Sequence, residues 1–320
     1  MNPKVTVLMS VFNGRTYLPE AVESILGQTF GDFEFLIIDD GSEQPLEDTI
    51  RSYKDSRTSV YRQENMGLAR SLNRGLGLAR GDYVARMDAD DVSRLDRLQM
   101  QFAEMESHPQ IDLLGAFFDV IDDNGELIET KELITDPIYR LWRLQFHNTY
   151  GHGTVMLRRQ SVIDAGMYDE SLLYAQDYEL WSRISAKENT AIIPEVLYHY
   201  RLFDKSQQAS VRNYDAQLTA AIYISDRNLR ACNANLSDED RMQVRALYWK
   251  FQIDHIGLGG LKALPDTFEG FCRRYEINAT EKRDLIERVT QDAITEMAKS
   301  NLIPIGDKQR VIHELELLRS

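Results

Sequence analysis

The first hundred residues alternate short apolar runs with stretches whose apolar positions repeat at the spacing of an amphipathic helix. This alternation is typical of strand–helix–strand units and predicts an α/β fold with a mainly parallel sheet flanked by helices. The run at 33–38 is apolar almost throughout, which indicates a strand buried on both faces. Further strands are predicted at 5–11, near 60, and at 83–87, 113–121, 154–157 and 196–202.

The region after about residue 206 has a different pattern, with almost no strand signal and several amphipathic helices. Ser237 with Asp240, and Asn278 with Glu281, resemble the capping boxes that begin helices. An apolar stripe with four-residue spacing follows at 285–297. We predict an α/β domain at 1–205 and an all-helical C-terminal appendage at 206–320. Its apolar faces need a partner, either the first domain or a second copy of the chain in a homodimer.

The composition is that of an ordinary soluble protein, with 43% hydrophobic and 28% charged residues. The 37 Lys and Arg residues are outnumbered by 51 Asp and Glu residues, and the net charge of −14 argues against a nucleic-acid partner. We find no signal-peptide pattern and no apolar run long enough to cross a bilayer. Two widely spaced cysteines suit a reducing compartment. We therefore expect the cytoplasm or the inner face of a membrane, with peripheral contact at most.

The strongest chemical signal is an acidic cluster directly after the predicted strand at 83–87. Asp88, Asp90 and Asp91 fall within four residues. Carboxylates one residue apart at a strand end can bind a hard divalent cation and leave its other positions to water and phosphate oxygens. A solvated acidic turn or a helix cap is the alternative that the residues alone leave open.

Other polar groups follow neighbouring strands. Because ligands of open parallel sheets bind outside the carboxyl ends of the strands, these segments are expected to share one edge. A carboxylate there can accept hydrogen bonds from a base or a ribose, and Gly41 lets the backbone come close. The sequence Asp-Gly-Ser alone is a common turn and is weak evidence. The segments concerned are 10–14, 39–42, 65–67 and 88–91.

Several ordered motifs between residues 4 and 202 resemble those of inverting glycosyltransferases of family 2, which have the GT-A fold. The motifs are VLMSVFN at 7–13, IIDDGS at 37–42, ARMDADD at 85–91 and QDYELW at 176–181. Several motifs in the right order are far more specific than any one of them. The resemblance implies that 1–205 is a GT-A catalytic domain of the hexosyltransferase type.

The resemblance also implies roles for individual residues on the donor side. Asp40 would hold the base of a nucleotide sugar, with a UDP-sugar expected, and Gly67 would belong to the same donor site. Asp88 and Asp90 would form the metal site, Asp90 as the direct ligand of Mg²⁺ or Mn²⁺ and Asp88 near the ribose or a metal-bound water. Two further residues, Ser10 and Asn13, would line the base pocket.

Asp177 would be the general base that deprotonates the acceptor hydroxyl, so that a single displacement inverts the anomeric centre. Without the resemblance, Asp177 is better interpreted as a helix N-cap. The acceptor would be a glycan or a lipid-linked glycan in polysaccharide, lipopolysaccharide or other glycoconjugate assembly. The absence of transmembrane runs and of a glutamine-arginine-tryptophan motif favours a non-processive enzyme. The alternatives are a nucleotidyltransferase and a catalytically silent sugar-nucleotide binding module.

Three positions depart from the family pattern. Gln176 stands where a glutamate often precedes the base, so a second carboxylate is not assumed. Phe203 stands where a metal-binding histidine is often found, and His199 is out of phase with that position. His152 has two interpretations, a residue of the acceptor or phosphate pocket, or a core histidine with one hydrogen bond.

Overall fold

The computed structural model describes residues 2–14, 16–187, 189–203, 213–248 and 259–299. These residues divide into two compact units. The first, here called the sheet unit, consists of the described residues within 1–135 and 150–217, and the second, the helical unit, of those within 136–149 and 218–320. The predicted boundary at 205/206 lies outside the described residues. The assignment of 136–149 to the helical unit was not foreseen from the sequence.

The sheet unit contains a nine-stranded sheet in its described part, in the order β3-β2-β1-β4-β8-β6-β9-β5, with β7 beside β6. Strands β3, β2, β1 and β4 are parallel, and so is the pair β6 and β9. Strand β8 is antiparallel to β4 and β6, so the sheet is mixed. The bounds are β1 Val5–Val11, β2 Phe33–Asp39, β3 Thr58–Arg62, β4 Tyr83–Met87, β5 Val92–Ser93, β6 Ile111–Ile121, β7 Leu127–Lys131, β8 Met156–Arg158 and β9 Asn189–Arg201.

Helices cover the sheet because apolar stripes on the helices and on the parallel strands bury one another. Strand β2 is buried along its whole length, as its apolar run predicts. The helices of this unit are α1 Leu18–Leu26, α2 Glu47–Arg51, α3 Leu68–Leu78, α4 Arg97–Ser107, α6 Arg159–Asp164 and α7 Gln176–Ser185. A 3₁₀ turn, His152–Thr154, precedes β8. The α/β fold with helices around the sheet is therefore confirmed.

The helical unit is built around one tryptophan. Trp142 of helix α5, Pro137–Leu144, is fully buried, and its indole N–H donates to the Tyr248 hydroxyl at 3.1 Å. The rings of Phe146, Phe268 and Phe271 lie against it. Such a cluster explains why α5, far upstream in the sequence, belongs with the C-terminal helices.

The remaining helices are α8 Tyr214–Cys232, α9 Asp238–Ala246, α10 Gly259–Arg274 and α11 Ala279–Lys299. The capping box of Ser237 and Asp240 is present at the start of α9. Asn278 and Glu281 exchange the hydrogen bonds of a second one at the start of α11. In the described part of the chain, no helix is long and apolar enough to span a membrane.

Candidate active site

The acidic loop, residues 88–91, links β4 to β5 at the carboxyl edge of the sheet. Its three carboxylates have different environments. Asp91 is 1% exposed, and its carboxylate accepts hydrogen bonds from the Tyr198 hydroxyl at 2.8 Å and the Arg201 backbone N–H at 2.7 Å. The Tyr198 oxygen also accepts from the Asp88 backbone N–H at 3.1 Å. Asp91 therefore anchors the loop to β9 and is not available to a ligand.

Arg201, at the end of β9, holds the same loop from the other side. Its Nε donates to the Asp90 backbone carbonyl at 3.0 Å, and its Nη2 lies 2.5 Å from Glu20. The guanidinium lies over the ring of Tyr17, which stacks on Phe203 with ring centres 5.3 Å apart. Phe203 thus has a packing role, and it offers no atom to a metal ion.

Asp88 and Asp90 are the two carboxylates of the loop that remain half-buried. Asp88 forms an ion pair with Arg86 of β4. Among the described residues, no side chain donates a hydrogen bond to the Asp90 carboxylate. Burial raises the pKa of Asp90, although the positive charges of Arg86 and Arg201 oppose the shift. Burial also raises the pKa of Asp91 to about 7, and the charge of Asp90 adds to that rise.

The acidic loop offers two carboxylates to a metal ion, which is a number that Mg²⁺ accepts. Within the described residues, no group of three or more His, Cys, Asp or Glu side chains could hold a metal ion. Asp88 and Asp90 supply carboxylate oxygens alone, and Mg²⁺ commonly takes one or two carboxylates and completes its shell with water and substrate phosphates. His199, whose Nδ1 lies 3.5 Å from Asp119, adds no ligand beside them.

The first acidic turn, residues 39–42 at the end of β2, has no carboxylate comparable to that of Asp90. Asp39 accepts from the Ser42 backbone at 2.9 Å and from Arg62 at 3.0 Å. Asp40 is 3% exposed and accepts from the side chain of Gln63 at 2.7 Å. Two backbone N–H groups, of Met66 and Gly67, also donate to Asp40, each at 2.9 Å.

A close backbone approach makes this arrangement of the turn possible. Gly41 has a φ of 80°, and a Cβ at this position would lie 2.7 Å from the backbone nitrogen of Asn65. A larger residue would therefore push the 63–67 segment away. The structure brings Asp40 and Gly67 together, as their joint assignment to the donor site requires. The role of Asp40 in holding a base stays a prediction.

Asn13 connects the loop after β1 to the first acidic turn. Its side-chain oxygen accepts from the Glu43 backbone at 2.9 Å, and its own N–H donates to the Ser42 hydroxyl at 3.1 Å. Ser10 is half-buried and pairs in register with Ile38. In the strand register Val11 lies opposite Asp39 and Met9 opposite Met87, so β1, β2 and β4 end at one edge, as predicted.

Asp177 is the second residue of α7. The N-cap of this helix is Ala175, with a φ of 55°, so the interpretation of Asp177 as the helix cap is wrong. Asp177 is half-buried and lies close enough to Tyr168 that its charge adds to the effect of burial in raising the pKa of that tyrosine. The neighbouring Gln176 is buried, and its side-chain oxygen has no hydrogen-bond partner in the described part of the chain.

Glu179 does not compete with Asp177 as a base. It is buried and paired with Arg183 at 2.5 Å. Arg183 also donates to the backbone carbonyls of Ala165 and Met167. Arg183, held by the Glu179 carboxylate, therefore fastens α7 to the segment before it.

His152 is half-buried in the 3₁₀ turn before β8, and its surroundings fit both of its interpretations. Its Nε2 lies 3.0 Å from the Tyr168 hydroxyl, and the Trp181 ring is 5.9 Å away. Burial lowers its pKa well below the usual range, with the Arg86 charge adding to the effect, so the ring is neutral at physiological pH. The Asn73 side chain holds Tyr168 in place: its amide nitrogen donates to the Tyr168 carbonyl and its amide oxygen accepts from the Tyr168 N–H, each at 2.9 Å.

Sequence reasoning missed Arg86, Tyr198 and Arg201. Arg86 carries a signal in the sequence, because a charge inside an otherwise apolar strand is rarely buried without a partner. Tyr198 and Arg201 carry no such signal, because exposed and buried arginines and tyrosines at a strand end look alike in a sequence.

The mixed sheet, its flanking helices and the acidic loops at the carboxyl ends of its first strands form an architecture shared with glycosyltransferases of the GT-A type. The family model "Glycosyl transferase family 2" matches residues 6–166. The chain belongs to this family, and the resemblance seen in the sequence is confirmed.

Relatives at the sequence level are glycosyltransferases as well. An uncharacterized glycosyltransferase of Methanocaldococcus jannaschii is 35% identical over 217 residues, which cover 65% of this chain and 74% of the relative. The amylovoran biosynthesis glycosyltransferase AmsE of Erwinia amylovora is 32% identical over 61% of this chain and 75% of its own length. The O-antigen biosynthesis glycosyltransferase WbnJ of Escherichia coli is 31% identical over 66% and 84%.

Among solved structures, S. aureus TarS 1–349 in complex with UDP-GlcNAc matches with a TM-score of 0.59. The match covers 99% of this chain and 92% of that chain at 16% sequence identity. At this identity the likeness shows a common fold.

Proposed function

We propose that this glycosyltransferase moves a sugar from a UDP-sugar to a hydroxyl of a glycan or lipid-linked glycan and inverts the anomeric configuration. It requires Mg²⁺ or Mn²⁺ and is non-processive, so that it adds one sugar each time it binds an acceptor. The observation that carries the proposal is the difference in hydrogen bonding between two carboxylates of the acidic loop. Asp91 is fully engaged by Tyr198 and Arg201, whereas Asp90 is desolvated and receives no side-chain hydrogen bond among the described residues. A carboxylate in that state is stabilised by a cation.

The relatives support the class of donor and acceptor. TarS has been solved with UDP-GlcNAc, and two relatives act in amylovoran and O-antigen biosynthesis. The base would be held at the first acidic turn, near Asp40, Ser10 and Asn13. Phe12, at the same edge and 54% exposed, offers a flat ring on which a base can stack.

Asp90 and Asp88 would hold the metal ion beside the diphosphate. When bound, a divalent cation supplies positive charge to the departing diphosphate. Asp177 takes the proton of the acceptor hydroxyl as the hydroxyl oxygen attacks the anomeric carbon. The bond from that carbon to the diphosphate oxygen breaks as the new bond forms on the opposite face, so one displacement inverts the configuration.

The test is incubation of the protein with Mn²⁺ and a panel of nucleotide sugars, with NMR of the products. We expect slow hydrolysis of a UDP-sugar without an acceptor, and transfer with inverted anomeric configuration when a glycan acceptor is supplied. Binding of the nucleotide sugar without any turnover would favour the silent binding module. Transfer with retained configuration would contradict the assignment of Asp177.

A further inference from the structure

Arg86 is a charged residue inside a fully buried strand. Its neighbours Ala85 and Met87 belong to the hydrophobic core, and Arg86 itself is 4% exposed. Because consecutive side chains of a strand point to opposite faces, Arg86 points away from that core. A buried guanidinium is costly unless charge or hydrogen bonds compensate it.

The compensation at Arg86 is mainly electrostatic. It forms an ion pair with Asp88, while its Nε donates no hydrogen bond within the described residues. Arg97, which is also buried, has its hydrogen bonds satisfied. Its guanidinium donates to Gln101 at 2.9 Å and to two backbone carbonyls, those of Arg86 at 2.9 Å and Val155 at 3.2 Å. Arg97 is therefore a structural arginine, and Arg86 retains hydrogen-bonding capacity beside the acidic loop.

The position of Arg86 has a consequence for any cation that approaches the loop. A divalent ion at Asp88 and Asp90 would compete with the Arg86 guanidinium for the Asp88 carboxylate. The positive charge of Arg86 would also repel the ion, strongly so in a buried site of low dielectric constant. A diphosphate that arrives with the ion adds negative charge, which offsets this repulsion.

We propose that Arg86 is a positioning residue that keeps a free divalent cation off the acidic loop, so that metal and nucleoside diphosphate bind cooperatively. This inference rests on the proposed metal-dependent transfer. In the resting loop, Asp88 is paired to Arg86 and Asp91 is held by the Tyr198 hydroxyl and the Arg201 backbone N–H, while Asp90 has no side-chain donor among the described residues.

The experiment compares the affinity for Mn²⁺ alone with that for Mn²⁺ at saturating UDP, by calorimetry corrected for the association of Mn²⁺ with UDP in solution. In the wild type, UDP should tighten Mn²⁺ binding at least about tenfold, within the usual range of coupling between sites. In Arg86→Met, which keeps the length of the side chain without its charge, Mn²⁺ alone should bind at least about tenfold more tightly. The coupling to UDP should fall by about fivefold or more.

Two variants control for the loss of a buried arginine. Arg86→Lys keeps the charge and should keep most of the coupling. Arg97→Lys should lower the melting temperature and leave the coupling unchanged. The proposal is overturned if Arg86→Met binds Mn²⁺ alone as weakly as the wild type or more weakly. Should Arg86→Met not fold, Arg86→Gln gives the same comparison, and a wild-type affinity for Mn²⁺ that UDP does not change overturns the proposal directly.

These outcomes are separate from the fate of the proposed function. Sugar transfer by the wild type together with unchanged Mn²⁺ binding in Arg86→Met retains the transferase and rejects the role of Arg86. Absence of transfer by the wild type with every donor in the panel rejects the proposed function itself.

Discussion

The two acidic segments at the carboxyl edge of the sheet look alike in the sequence and differ in the folded chain. In the first acidic turn, both carboxylates receive several hydrogen bonds from protein groups. In the acidic loop, Asp91 is engaged in this way, whereas Asp88 has an ion pair and Asp90 has no side-chain donor in the described part of the chain. The carboxylates of the first segment hold neighbouring loops together, and the second segment leaves negative charge beside the proposed diphosphate site.

The difference teaches that acidic residues after a strand are not equivalent ligands. Carboxylates saturated by backbone N–H groups contribute to stability, because removing them leaves buried donors unpaired. Carboxylates that are desolvated but unsaturated lower stability and gain from a bound cation. Mutations in the two segments should therefore separate stability from activity.

The largest effect is expected for Asp90→Asn. Loss of the negative charge should reduce transfer on the order of a thousandfold, since a metal ion supplies several kcal/mol of charge stabilisation. The melting temperature should stay constant or rise, because a desolvated charge is removed. Initial rates with a UDP-sugar and differential scanning calorimetry would check both. Near-normal rates would remove the distinction between the two segments.

Asp177→Asn should lower transfer by at least about a hundredfold, the usual contribution of a positioned general base. UDP affinity and melting temperature should be preserved, since Asp177 is not the helix cap. Glu179→Gln is the matched control, and it should lower the melting temperature through the lost pair with Arg183. Full activity of Asp177→Asn, with an inactive but folded Glu179→Gln, would reverse the assignment.

In the first acidic turn, Asp39→Ala should destabilise the fold by about 1–3 kcal/mol, because the Ser42 N–H and the Arg62 guanidinium lose their acceptor. Urea unfolding measures this change. Transfer should fall less than in Asp90→Asn. A variant as stable as the wild type but without activity would show that Asp39 acts in the reaction rather than in the stability of the turn.

The smallest expected effect concerns His152. Its pKa in the fold lies below that of the unfolded chain, so the stability that the neutral ring contributes is present above about pH 6.5 and is lost as the pH falls. Between about pH 6.5 and 5, the wild type should lose stability relative to His152→Gln by at most about 1.4 kcal/mol per pH unit. If the free energy of unfolding, measured with urea, changed equally for the two proteins across that range, the neutral ring would be contradicted.

Much of this arrangement is accessible from the sequence. The apolar run at 33–38 and the loops after the first strands predict the sheet and its ligand edge, because strand burial and connection rules are local. The division of labour among Asp88, Asp90 and Asp91 is not local. It depends on Tyr198 and Arg201, about 110 residues away.

The helical unit shows the same limit. Ser237 and Asn278 predict helix starts from a few residues, and both capping boxes form. The inclusion of α5 follows from Trp142 packing on rings more than one hundred residues downstream, which no local pattern reveals. Long-range burial thus decides both the extent of this unit and the availability of the carboxylates.

The most direct test of the central claim is calorimetric titration of UDP into the wild type and Asp90→Asn, each with Mn²⁺ and with EDTA. Relative to the wild type with Mn²⁺, we predict that EDTA and Asp90→Asn each weaken UDP binding at least about thirtyfold, or about 2 kcal/mol, and that their effects are not additive. Equal UDP affinity in all four titrations would contradict a metal and diphosphate site at the acidic loop.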